Sequence, residues 1–176
     1  MVWPKLGEFG IMQIRVDNSM VEFSGHLSEK SDSEAIKKAV LQALAAASNG
    51  IIRIDFSKVE KANSVGILTY LKTFTALKIK AVYERVPVWL VEQFNVIDEF
   101  LDEDAMVSSV FAQFYCTETN STVTRELKVG TDIPILADYS LFNPCIKDDA
   151  GNELEADFDP CAYFDFISIH NERYKK

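Results

Sequence analysis

Asn63, Ser64, Val65 and Gly66 have the residue types and order for one piece of chemistry, the acceptance of a phosphate. They lie between a β-branched apolar run at residues 51–56 and a stretch with apolar side chains at Ile67, Leu71 and Phe74, with Leu68 and Tyr70 beside them. That change of period places a strand before the four residues and a helix after them. Asn63 suits the N-cap, because its side-chain oxygen accepts a hydrogen bond from an amide of the first turn. Ser64 then sits where free amides and the positive end of the helix dipole converge, and a phosphate on its hydroxyl is stabilised there. The position equally suits a serine that only decorates a helix start. Asp55 alternates outwards with Arg53 on the preceding strand, and either accepts loop amides or takes part in the chemistry.

No spacing elsewhere supports catalysis. His26 and His170 are the only histidines and are far apart, and neither stands near a cysteine or serine in a nucleophile motif. His26 reads as part of a surface loop and His170 as a helix end. The carboxylate runs at 98–104 and 148–159 read as solvated surface, and no glycine-rich phosphate loop occurs. The chain is therefore expected to be no enzyme and to need no cofactor.

Composition narrows the partners. The formal net charge of −9, from 27 acidic and 18 basic residues, repels a phosphate backbone and makes nucleic acid an unsuitable partner. No run of about 18 apolar residues occurs, so no membrane span is expected. The first ten residues lack the apolar core of a signal peptide. Three cysteines without framework spacing suit a reducing compartment, and the expected location is the cytoplasm.

The elements that must position Ser64 follow from pattern. Residues 11–16 and 20–24 alternate around the turn Asp17-Asn18-Ser19 and predict a hairpin. Ser31 and Glu34 have the spacing of a capping box, so a helix is expected from there, with a stripe at Ile36, Ala39, Val40, Ala43, Leu44 and Ala47. Asn49-Gly50 ends it. A strand at 79–83, a helix at Val88–Phe94 after Pro87, and a last strand at 106–114 complete an alternation of strands and helices, which implies a mostly parallel inner sheet. After Cys116 the residues turn polar. A turn at 148–152, alternation at Leu154, Ala156 and Phe158, and Asp159-Pro160 as cap and first helical position predict a small β-rich segment closed by a helix. Tyr163, Phe164, Phe166 and Ile167 form the aromatic face of that helix, read as packing rather than a ligand cage, and residues 171–176 read as a frayed tail.

Across roughly residues 12–114 the chain resembles a STAS domain, the fold of bacterial anti-sigma-factor antagonists. Asp55 on its strand, and Ser64 and Gly66 in NSVG, match the family's run of strand, loop and Asp-Ser-x-Gly opening a helix. Asn63 stands in place of the usual aspartate, and Leu68 in place of a second common glycine. The resemblance implies an α/β fold, a small mixed β-sheet covered by helices over 1–114. It further implies a non-catalytic regulatory module that acts by protein–protein contact. Ser64 would be phosphorylated by an anti-sigma factor or related serine kinase, and Asp55, Asn63, Ser64, Val65 and Gly66 would form the docking surface. A phosphorylation-independent scaffold, a homodimerisation module using the closing aromatic helix, and a small-ligand-sensing STAS domain are the alternatives. Residues 115–176 resemble, more faintly, a zinc ribbon that has lost half its ligands. Only Cys116 and Cys145 keep cysteine positions, with Asp148 able to bind, one ligand short of the usual four.

Overall fold

The computed structural model describes residues 12–97, 100–101 and 105–174, so Ile11 and most of the acidic run at 98–104 lie outside the described residues. The fold is mixed α/β, with parallel and antiparallel strand pairs. The chain divides into two compact units, residues 1–80 and 81–176.

In the first unit, β1 (Gln13–Asp17) and β2 (Met20–Leu27) form an antiparallel hairpin, and β2 pairs in parallel with β3 (Ile51–Ala62). Helix α1 (Ser33–Ala46) connects β2 to β3, and α2 (Ser64–Leu77) follows β3 directly. The core is aromatic where β2, β3 and α2 meet. Phe23 stacks on Phe56 at 4.8 Å, and Tyr70 meets both rings edge-on at 5.7 and 5.1 Å. Three rings that pack this way lock the face of α2 on which Tyr70 lies against the sheet.

The start of α1 and the end of β3 differ from what the sequence predicts. Helix α1 is capped by Asp32, not Ser31. The Asp32 carboxylate accepts from the amides of Glu34 (2.9 Å) and Ala35 (3.3 Å), while the Ser31 hydroxyl accepts from the Ser28 amide (2.9 Å). An anionic oxygen on two free amides is the stronger cap. Strand β3 does not end at Phe56 but runs on to Ala62, so the expected loop before Asn63 is strand. Its register with β2 shifts twice, between Glu22 and Ser24 and between Gly25 and His26, and each shift places an extra residue on β3. Such bulges break the two-residue period by which a strand is read.

All of β4 (Lys80–Glu84) but its first residue belongs to the second unit, where it pairs in parallel with β5 (Ala105–Val107); α3 (Val88–Phe94) lies between them in sequence, with the bounds its pattern predicts. The single strand expected at 106–114 is two. Beyond Ser108, β6 (Ser109–Cys116) joins a separate four-stranded sheet with β7 (Ser121–Lys128), β8 (Ile146–Lys147) and β9 (Glu153–Ala156), in the order β7-β6-β9-β8. Cys116 pairs with Ser121 at the end of the β6–β7 hairpin. The composition change at Cys116 is therefore a turn within one sheet, and the boundary expected between 114 and 115 runs through β6.

The closing helix is three short ones: α4 (Pro160–Tyr163), α5 (Asp165–Ile169) and α6 (Asn171–Tyr174). Asp159 caps α4 through the Cys161 amide at 3.0 Å, as its sequence predicts. The tail is not frayed through residue 174. The Tyr174 hydroxyl accepts from the Val107 amide (3.0 Å), and Arg173 donates to the carbonyls of Leu101 and Ala105 (3.2 Å each). Asn95, just beyond α3, grips the same segment, donating to the Ala162 carbonyl (2.9 Å) and accepting from the Phe166 amide (2.9 Å).

Candidate functional site

Asn63 is the hinge between β3 and α2. Its amide donates to the Leu27 carbonyl (3.0 Å), completing the run of β3 against β2, and its extended backbone turns the chain into the helix. Its side-chain oxygen accepts from the Gly66 amide at 2.9 Å, the N-cap bond expected of it. Its side-chain nitrogen donates to the Glu29 carboxylate at 2.7 Å. That bond holds the exposed Glu29 carboxyl below the usual glutamate range, because it favours the charged form. Glu29 comes from the β2–α1 connection, 34 residues earlier, and no local pattern announces it. Its charge lies beside the positive end of α2, whose first turn contains no acid.

Gly66 has a packing role. A β-carbon there would lie 2.4 Å from the Leu27 carbonyl carbon, the Leu27 oxygen and the Ser28 nitrogen. These are backbone atoms that cannot swing aside, so only glycine lets α2 start against the end of β2. The first turn is thereby fixed on both flanks, by the Asn63 cap and by close backbone contact.

On this fixed support Ser64 is the first residue of α2 and is exposed. Val65 and Leu68 are 55% and 50% exposed, on a helix whose other face is core. Leu41 of α1, the helix packed against α2, is 44% exposed. The serine thus opens a helix whose Val65 and Leu68 are half in water.

Asp55 departs from its expected place. It does not face outwards on a strand edge; it is fully buried within β3, and its carboxylate accepts from the Ser57 amide at 2.8 Å. The bond falls where the register with β2 first shifts, so the aspartate meets an amide that the bulge redirects. The structure brings Asn63, Ser64, Val65 and Gly66 together, and Asp55 supports the strand behind them. No protein-family model, curated protein or solved structure matches this chain.

Cys116 is buried in β6, Cys145 is exposed, and all three thiols are free. Asp148 is occupied in the β8–β9 turn. Its carboxylate accepts from the amides of Ala150 (2.9 Å) and Asn152 (2.8 Å) and from the Asn152 side chain (2.9 Å), with Gly151 at φ +90° completing the turn. Among the described residues no group of three or more histidine, cysteine, aspartate or glutamate side chains is placed to hold a metal ion. His26 belongs to β2 rather than a loop, with a ring nitrogen 3.2 Å from the Glu60 carboxylate. His170 follows the end of α5. No described helix is long and apolar enough to cross a membrane.

The aromatic residues of the closing segment are core. Phe164, Phe166 and Ile167 are at most 1% exposed and Tyr163 is 8% exposed. Phe164 packs against Tyr139, Phe142, Phe158 and Tyr163. They therefore cannot form the dimerisation face expected of a closing aromatic helix.

Proposed function

We propose that this chain is a non-catalytic regulatory module of STAS type, similar to the anti-sigma-factor antagonists. The start of α2 docks on a protein partner and is released when Ser64 is phosphorylated. The observation that carries this reading is the exposed Ser64, which opens a helix whose Val65 and Leu68 are half-exposed, on a turn that Asn63 and Gly66 hold rigid. The order of elements from β1 to β5 supports it, since strands and helices alternate after an antiparallel hairpin as the resemblance requires. Glu29 places a carboxylate beside Asn63, where STAS domains usually carry the aspartate of the motif. The partner is an anti-sigma factor or a related serine kinase.

The switch is electrostatic. A phosphate on Ser64 adds about 1.5–2 negative charges to an apolar contact. Docking would strip that charge of its water, so the docked state loses and the free, hydrated state is favoured. Capture of a partner by immobilised Ser64→Ala and Ser64→Asp variants tests this. The alanine variant retains the partner and the aspartate variant loses it; equal capture by both overturns the switch.

A further inference from the structure

We propose that α6 closes a strand edge at which two copies of this chain would otherwise pair. Among the described strands β5 pairs with β4 alone. The Ser108 amide donates to the Tyr83 carbonyl (2.8 Å), so Ser108 and Met106 turn their peptide groups towards β4. Peptide groups alternate along a strand, and those of Ala105 and Val107 therefore point away from it. On that outer side the Val107 amide donates to the Tyr174 hydroxyl (3.0 Å), and the Ala105 carbonyl accepts from the Arg173 guanidinium (3.2 Å). Two side chains of α6 thus stand where the next strand would run.

Two observations point to a second copy as what α6 keeps out. The first is that this edge is its own complement. An antiparallel, two-fold arrangement centred on Met106 sets Ala105 opposite Val107 of the second copy. The amide now bonded to Tyr174 then meets the carbonyl now bonded to Arg173, and the reverse pair does the same. The second is the composition of the strand. Ala105 and Val107 are buried, Met106 is 37% exposed, and none of the three is charged. The two-fold axis brings the two Met106 side chains together. An uncharged apolar edge pairs with another chain unless something covers it. None of the four residues of α6 is buried, so taking away Arg173 and Tyr174 opens the edge and removes no core side chain. The edge uses none of the residues of the Ser64 switch.

The test keeps the full chain and reads mass by sedimentation over a range of concentrations, with far-ultraviolet circular dichroism as the check on folding. Arg173→Gly/Tyr174→Gly should stay folded and rise with concentration towards twice the mass of the unaltered chain, which should not change over the same range. Adding Met106→Lys to that variant sets like charges across the two-fold axis and should return it to the unaltered mass. Amide exchange locates the contact. The Val107 amide should stay protected in the associated variant and exchange faster once Met106→Lys is added. If the double variant loses its fold, Tyr174→Ala, which retains Arg173, is read in the same way. No rise in mass beyond that of the unaltered chain, or a rise that Met106→Lys leaves in place, overturns the proposal. Loss of the fold in both tail variants overturns it too, because α6 would then be part of the core and not a cover.

Discussion

At the start of α2, Val65 and Leu68 are left half in water, while after Asp159 the residues Phe164, Phe166 and Ile167 are withdrawn from it almost entirely. Both stretches are rich in apolar side chains, and both follow a side-chain N-cap, Asn63 in one and Asp159 in the other. They differ in what lies behind the backbone. The first turn of α2 is seated on the end of β2 through Gly66, so its outward side chains are not needed for packing. The closing segment is three short helices that are held by Asn95 and by their own rings. An apolar residue that stability does not require is available for a partner; one that fills a core is not.

That contrast can be broken in order of expected effect. Phe164→Ala should cost about 3–5 kcal/mol, read by chemical denaturation, because it removes a ring that four others enclose. A loss near zero would mean the closing rings are not core. Gly66→Ala should cost about 3 kcal/mol, the upper range for forcing a methyl into a filled site. An unchanged midpoint would show that α2 is not seated on Leu27 and Ser28.

Asn63→Ala should cost about 1 kcal/mol through the lost cap, and its deficit should depend on pH. The Glu29 carboxyl is held below its ordinary value of 4.5 in the folded chain, so its contribution is present above that value and is lost as pH falls through the lowered one. The deficit of Asn63→Ala should therefore shrink on acidification; a deficit that grows instead would contradict the Glu29 contact. Ser64→Ala should change stability by less than about 0.5 kcal/mol, as expected of an exposed side chain with no packing role. A larger loss would make Ser64 a structural residue and remove its availability for a switch.

Much of the frame was legible because it follows local rules. The cap at Asn63, the bounds of α3 after Pro87, and the Asp159-Pro160 start all depend on chemistry within a few residues. What was not legible depends on partners distant in sequence. Asp55 is buried because a bulge against β2 turns the Ser57 amide towards it, and a bulge erases the alternation that would have revealed it. Residues 106–114 read as one strand, yet Ser108 separates two that belong to different ladders. Glu29 reaches the site from another loop. The closing aromatics kept a helical pattern through Phe164 and His170, where the helix in fact breaks. The motif that attracts attention, NSVG, was readable; its supports, Glu29 and the backbone at Leu27 and Ser28, were not.

The central claim is that the start of α2 is a docking surface switched by charge on Ser64. The most direct measurement is site-localised mass spectrometry of the chain after incubation with ATP in an extract of its source cells, beside Ser64→Ala. A single phosphate on Ser64, absent from the alanine variant, is the predicted result. An unmodified Ser64, whether or not other serines of the chain are labelled, would contradict the account.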